Sequence, residues 1–291
     1  RQVENQGRHD ACNETAKRFQ YRLMTITLRE TTSCGRRLPF SVRPAAILLI
    51  LLGLVLHGCS RESNAPQEWV ASVSTQDGFN IATTSYIPQA HAPPGLILVH
   101  RYGGNRALWK HVAALLQQQG VHSIALDLRG HGKSFMQNEQ RLNYRQLPDN
   151  QWLDALADIR AVKTLLLEKG ADPERIAIAG EGLGATLALY YALEDPDIQG
   201  VVMISPGLEL NNITTANAIQ QLDDCPTLLM SSEGDAYAAT SATALNQSAP
   251  VFSELRTWSG SAHGVDLFVS HPEAAAFMID WLDTVLSAAS Q

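Results

Sequence analysis

Paired cysteines are missing from this chain. Its four cysteines, Cys12, Cys34, Cys59 and Cys225, stand at no spacing suited to a metal site or a disulfide framework, so neither is expected to hold the fold together. No cluster of metal-ligating side chains and no cofactor fingerprint appears, and neither a metal nor a cofactor is expected. Internal repeats and low-complexity tracts are absent, which excludes a solenoid. Long hydrophobic runs are absent too: the longest, Ala45 to Leu56, is too short for a comfortable membrane span. Positive charge is scarce beyond residue 60, where 13 Lys and Arg face 25 Asp and Glu. An acidic domain of this kind repels phosphate backbones, so nucleic acid is not an expected partner.

A hydrophobic content of 45% over 291 residues is enough for one large α/β domain with a sizeable core. The first 60 residues differ from the rest, with 9 Lys and Arg against 4 Asp and Glu. Residues 1–23 precede the first methionine, Met24, show neither apolar periodicity nor turn logic, and are set aside as an expected overextension of the start. The basic stretch Arg36 to Pro44 then leads into the apolar run, the order of a secretory signal. That run ends at Leu56-His57-Gly58-Cys59-Ser60, which resembles the bacterial lipobox. The resemblance implies cleavage before Cys59, lipid on its thiol and new amino terminus, and a domain held at the bacterial cell envelope, on the periplasmic side. Three parts are expected: residues 1–58 as extension and signal, 59–67 as lipidated cysteine and polar tether, and 68–291 as the folded domain.

Within that domain two strand-like stretches, Trp69 to Thr75 and Phe79 to Ile87, flank the turn residues Asp77-Gly78 in hairpin fashion. Short uninterrupted apolar runs follow: Leu96–Val99, Ser123–Leu126, Ile176–Ile178, Val201–Ile204, Leu228–Met230 and Val251–Leu255. Such runs fit strands buried on both faces of a parallel sheet. Between them Trp152, Leu156, Ile159, Val162 and Leu166 recur at helical steps, and Leu183–Leu193, Ala236–Leu245 and Ala274–Leu286 are further helix candidates. The order predicts a doubly wound α/β domain with a mostly parallel sheet, antiparallel strands at its N-terminal edge and no large lid domain. Cys225, just before an apolar run, is expected to pack at a strand start.

Four motifs in this order resemble the α/β-hydrolase fold, of the serine-hydrolase, dienelactone-hydrolase and esterase kind, over roughly the last 225 residues. His100-Arg101-Tyr102-Gly103-Gly104 is similar to the strand-end H-G-x-G loop, with Arg101 in place of the usual glycine. The resemblance implies that the Tyr102 N–H is one oxyanion donor. Asp127-Leu128-Arg129-Gly130-His131-Gly132-Lys133-Ser134 resembles the architectural D-x-R-G-H-G-x-S segment, and His131 is read as structural. Gly132-Lys133-Ser134 also imitates the end of a phosphate-binding loop, but Asp127 stands where an earlier glycine is required, so no nucleotide is expected.

Gly180-Glu181-Gly182-Leu183-Gly184 resembles the G-x-S-x-G nucleophile elbow with glycine where the serine belongs. Leu183 would supply the second oxyanion N–H at a helix N-terminus, and Glu181 is placed beside the site, where its charge disfavours an anionic ligand. Asp235, with Glu233 in reserve, and His263 match the family's acid and base in chain order. Ser205 and Ser231 lie near strand ends without the elbow's surroundings and are read as structural. The resemblance implies a small acyl or ester ligand. With Gly182 in the nucleophile position, two readings stand: an envelope-anchored hydrolase homologue impaired in acyl transfer, with a ligand-binding or scaffold role, and an active ester, thioester or lactone hydrolase using water activated by His263 and Asp235.

Overall fold

The computed structural model describes residues 68–250 and 252–288, so the signal-like segment, Cys59, the tether and Val251 lie outside the described residues. Eight strands form one sheet: β1 (Glu68–Ser74), β2 (Asn80–Tyr86), β3 (Gly95–Val99), β4 (His122–Leu126), β5 (Ile176–Glu181), β6 (Ile198–Ile204), β7 (Thr227–Ser232) and β8 (Ser253–Trp258). Their order across the sheet is β1-β2-β4-β3-β5-β6-β7-β8. β2 pairs antiparallel with both β1 and β4, and every other pairing is parallel.

Five helices cover the sheet: α1 (Lys110–Gln118), α2 (Leu156–Glu168), α3 (Leu183–Glu194), α4 (Ala236–Ser248) and α5 (Pro272–Ala288). Side chains alternate along a strand, so each central strand feeds two cores. Ile97, Ile178, Val201 and Leu229 pack with residues of α2, α3 and α4 on one face. Leu98, Ala179, Val202 and Leu228 pack with α1 and α5 on the other. This two-sided burial is why the central strands read as uninterrupted apolar runs.

One helix escaped the apolar pattern, and one strand runs past the apolar run Val251–Leu255 that announces it. Helix α1 buries Val112, Ala113, Leu116 and Gln117 in a segment of only nine residues, and it is launched by a 3-10 turn, Arg106–Trp109, whose cap Asn105 accepts a hydrogen bond from the Ala107 N–H. Strand β8 runs on to Trp258 through the exposed residues Arg256 and Thr257, because an edge strand keeps one side in water. Cys225 is a buried free thiol just before β7, and burial pushes its pKa up to about 12.

The segment Asp127–Ser134 ties the layers together. The buried Asp127 carboxylate accepts the N–H groups of Arg106 (2.7 Å) and Lys133 (2.8 Å) and pairs with the Arg106 guanidinium. The Ser134 hydroxyl accepts the Ala82 N–H of β2 at 2.8 Å. Arg129, 3% exposed, donates to Asp158 of α2 at 2.8 Å and to Asp77 of the hairpin turn at 2.9 Å. Asp158 is fully buried, so removing its cation strands a charge away from water. Arg129→Met is expected to cost about 3–5 kcal/mol in urea unfolding, and Asp158→Asn added to it should recover part of that loss. Equal stability of the native protein and Arg129→Met would show that the pair contributes nothing.

Candidate functional site

The site forms at the C-terminal ends of β3, β5, β6 and β7. Strand β5 passes through Gly182 directly into α3. A side chain on Gly180 would meet the Gly184 backbone at 2.1 Å, and one on Gly184 would meet the Val99 carbonyl at 2.3 Å, so both glycines are demanded by close approach. Gly182 itself sits at φ 53°, ψ −118°, a conformation that strains any residue with a Cβ. Its N–H donates to Ile204 O (3.0 Å), and its carbonyl accepts from the first turn of α3 at Ala185 (3.0 Å) and Thr186 (3.2 Å).

Arg101 and Glu181 occupy the ground beside this bend. A Cβ built on Gly182 would lie 3.2 Å from the Arg101 Cβ. From there the arginine side chain reaches the Glu181 carboxylate, with Nη1 2.8 Å from Oε2. Glu181 is fully buried, and its Oε2 also accepts the Val265 N–H at 2.9 Å. One carboxylate therefore clamps the loop after β3 and the turn that carries His263. Gly264 is obligatory there, since a Cβ on it would overlap Glu181 Oε2. The sequence reading set Glu181 beside the site as a bare negative charge. Its charge is instead met by Arg101, a partner that no local spacing announces.

Asp235 follows β7, and its Oδ2 lies 2.7 Å from Nδ1 of His263. The imidazole is half-exposed, while the carboxylate is largely covered. Glu233 is exposed and has no side-chain hydrogen bond among the described residues, so Asp235 is the acid that orients the ring. Gly182, Leu183, Arg101, Tyr102 and His263 border one cavity of about 150 Å³, walled further by Ser205, Pro206, Leu210 and Tyr237. A short hairpin, Glu209–Leu210 and Ile213–Thr214, roofs it. The Tyr237 hydroxyl fixes that roof by donating to Glu209 O (2.8 Å) and accepting from Glu209 N (3.0 Å).

Ser205 borders this cavity although the sequence reading made it structural. It is 3% exposed, its φ is 44°, and its Oγ accepts the Gly264 N–H at 2.9 Å. Ser231 is buried with its Oγ unpartnered and does not border the cavity. A larger cavity of about 420 Å³ lies elsewhere, against β1, β2 and Arg106. Its charged groups are mostly committed to one another, Arg106 to Asp127 and Lys110 to Glu68. Size alone would favour it, but the chemistry is at the smaller one. Among the described residues no cluster of His, Cys, Asp and Glu is arranged to hold a metal.

Two histidines hold the loop that carries Arg101 and Tyr102. His100 Nδ1 faces Arg101 O at 2.7 Å while Nε2 accepts the Leu128 N–H at 3.0 Å. His131 Nδ1 faces Arg129 O at 3.1 Å while Nε2 accepts the Gly103 N–H at 3.0 Å, with Tyr144 stacked on its ring at 4.1 Å. Each ring thus carries its proton on Nδ1 and is neutral. The edge of Tyr102 packs against His131, Tyr144 and Trp152. His131 acts on the loop rather than on the cavity, a structural role as its motif implies.

The sequence profile of the serine aminopeptidase S33 family matches residues 91–231. An uncharacterized protein of Mycobacterium tuberculosis is 28% identical over 144 residues, covering 48% of this chain and 46% of that protein. The chain thus spans about half the length of that curated relative. Among solved structures, DcsB in complex with its substrate analogue superposes with a TM-score of 0.66 at 14% identity, covering 76% of this chain and all of that one. The Pyrococcus furiosus esterase Pf2001 superposes with a TM-score of 0.62 at 16% identity, covering 76% of this chain and 93% of that one. The chain has the α/β-hydrolase fold, and its relationship is to hydrolases of that fold.

Burial pushes His100 down to about 3, and its neighbour His131 adds to the effect; burial likewise lowers His131 and His122 to about 4. An unfolded histidine titrates near 6.5, so below about pH 6.5 the unfolded chain takes up protons that the native state refuses. Asp158, raised to about 6 by burial against the pull of Arg129, works the other way and offsets one of the three. Urea midpoints are therefore expected to be level between about pH 6.5 and 8 and to fall steadily towards about pH 4. A midpoint rising over that interval would contradict neutral, buried rings.

Proposed function

We propose that this protein binds a small acyl or ester-type ligand in the cavity beside Gly182 without serine-type acyl transfer, and that a lipid on Cys59 holds it at the bacterial cell envelope. The observation that carries the first part is the pairing of a glycine at the apex of the elbow with an arginine beside it. Arg101 approaches the position that a side chain at residue 182 would need and is tied down by a buried carboxylate. A serine enzyme needs a hydroxyl there, next to its imidazole. Gly182 supplies no attacking atom, and the Arg101 Cβ, 3.2 Å away, crowds the place that a Cβ at residue 182 would take. Covalent turnover is lost under these conditions; binding and backbone donors alone give a triad enzyme about 10³–10⁴-fold acceleration over water. Glycine also relieves the backbone strain that a serine would bear at φ 53°.

The intact Asp235–His263 contact favours a second reading, in which a water is the nucleophile. His263 Nε2 would take a proton as the water oxygen bonds to the ester carbonyl carbon, and would return it to the leaving oxygen as the carbon–oxygen bond breaks. Against it stands the Arg101 Cβ, which crowds the Cβ position at residue 182.

The two readings part under a fluorophosphonate probe combined with ester kinetics. The purified protein is expected to take up no probe and to show no acyl burst with a short activated ester, and His263→Ala should leave its rate at background. Catalytic hydrolysis abolished in His263→Ala, with no covalent adduct, would select the water mechanism. Stoichiometric labelling would end both, and its loss in Ser205→Ala would name the nucleophile. The anchor is tested separately: Cys59→Ala is expected to abolish incorporation of radiolabelled palmitate and to release the domain from membranes. Incorporation that persists would remove the anchor from the account.

A further inference from the structure

The cavity beside Gly182 is rich in hydrogen-bond donors and poor in free acceptors. A guanidinium carries five N–H groups, and among the described residues only Nη1 of Arg101 has a side-chain partner, Glu181. The N–H groups of Tyr102 and Leu183 have no acceptor among the described residues, and Leu183 opens the twelve-residue helix α3, whose dipole favours negative charge at this end. Ser205 adds a fourth donor. It is 3% exposed and held at φ 44°, its Oγ already accepts the Gly264 N–H, and its own hydroxyl proton has no acceptor. Strain of this kind in a buried polar residue is a feature of binding sites. His263 borders the same cavity with its Nδ1 held by Asp235.

The acceptors around the cavity are already engaged. Glu181 takes Arg101 and the Val265 N–H, Asp235 takes His263, and the Tyr237 hydroxyl is committed to Glu209. The exceptions among the described residues are the Asn211 side-chain oxygen, whose amide nitrogen is bound to Asp149, and the His263 Nε2, which are without a partner. Leu183, Pro206, Leu210 and Ala238 make the remaining wall apolar. A neutral ester carbonyl would use two of the donors. A carboxylate would use all of them, and hydrogen bonds to an ionised partner are roughly twice as strong as neutral ones.

We propose that the ligand of this site is a free carboxylate with a compact apolar tail, of the size of benzoate, held by Arg101, the Tyr102 and Leu183 N–H groups and the Ser205 hydroxyl. The proposal rests on the reading that Gly182 and Arg101 replace a serine site, and it adds to that reading the charge and size of what binds. The size follows from the volume: an apolar cavity of about 150 Å³ accepts a benzene ring. Arg101 then serves two carboxylates, Glu181 beneath and the ligand above, and the buried one fixes the guanidinium plane that the other meets.

Calorimetric titration of the full chain with sodium benzoate and with benzamide, its neutral isostere, tests this directly. Benzoate is expected to bind at least about tenfold more tightly, the difference between a charge-assisted and a neutral set of bonds. Arg101→Gln combined with Glu181→Gln keeps a neutral pair and leaves no buried carboxylate uncompensated; in it the preference for the anion should vanish. Ser205→Ala should weaken benzoate several-fold and benzamide less. Equal affinities, no benzoate binding at millimolar concentration, or a preference that survives in the double variant would overturn the proposal. If benzoate failed while the fluorophosphonate still found no nucleophile, the ligand class alone would fall.

Discussion

The contact between Arg101 and Glu181 organises the site. A carboxylate with no solvent exposure is tolerable only when it is paired and its oxygens are satisfied; here Oε2 takes the Arg101 guanidinium and the Val265 N–H, and Oε1 takes the Arg101 N–H at 3.5 Å. The bond joins three segments that come from distant parts of the chain: the loop after β3, the end of β5 and the turn between His263 and Val265. Without it the imidazole turn and the Arg101 loop would have no common anchor beneath the elbow. The same arginine brings its Cβ to 3.2 Å from the position that a Cβ on Gly182 would occupy, so the residue that ties the site together also crowds the apex of the bend.

Around that contact Asp235 orients His263, the Tyr102 and Leu183 N–H groups stand without acceptors among the described residues, and His100 and His131 lock the loop between them with neutral rings. Each of those rings accepts a backbone N–H on Nε2, so protonation would remove an acceptor and loosen the loop. Stability at moderately acid pH is therefore coupled to site geometry, through side chains that never touch the cavity.

Much of this was legible in the sequence, for physical reasons. Strands β3 to β7 are covered on both faces, and their apolar runs announced them; the Asp77-Gly78 turn announced the hairpin of β1 and β2. The order of the glycine-rich loop, the Asp127–Ser134 segment, the elbow and the acid and base placed Gly182, Leu183, Asp235 and His263, all of which the fold brings to one end of the sheet. What escaped depended on contacts far apart in the chain. Glu181 and Arg101 are 80 residues apart, and nothing local in either shows that their charges cancel. Ser205 looked like the end of a strand, since a positive φ and a hydroxyl turned to Gly264 leave no mark in composition. Helix α1 has no counterpart in the apolar pattern because its four buried positions make too short a stripe, and the run Val251–Leu255 marks β8 but not its end, since an edge strand runs on through exposed residues to Trp258.

A crystal structure of the protein at a resolution that defines the Arg101 guanidinium would test the central claim most directly. The account predicts Nη1 within hydrogen-bond distance of Glu181 Oε2, with the Arg101 Cβ beside Gly182. An arginine turned out into solvent, leaving an ordered water on Gly182 within reach of His263, would contradict it.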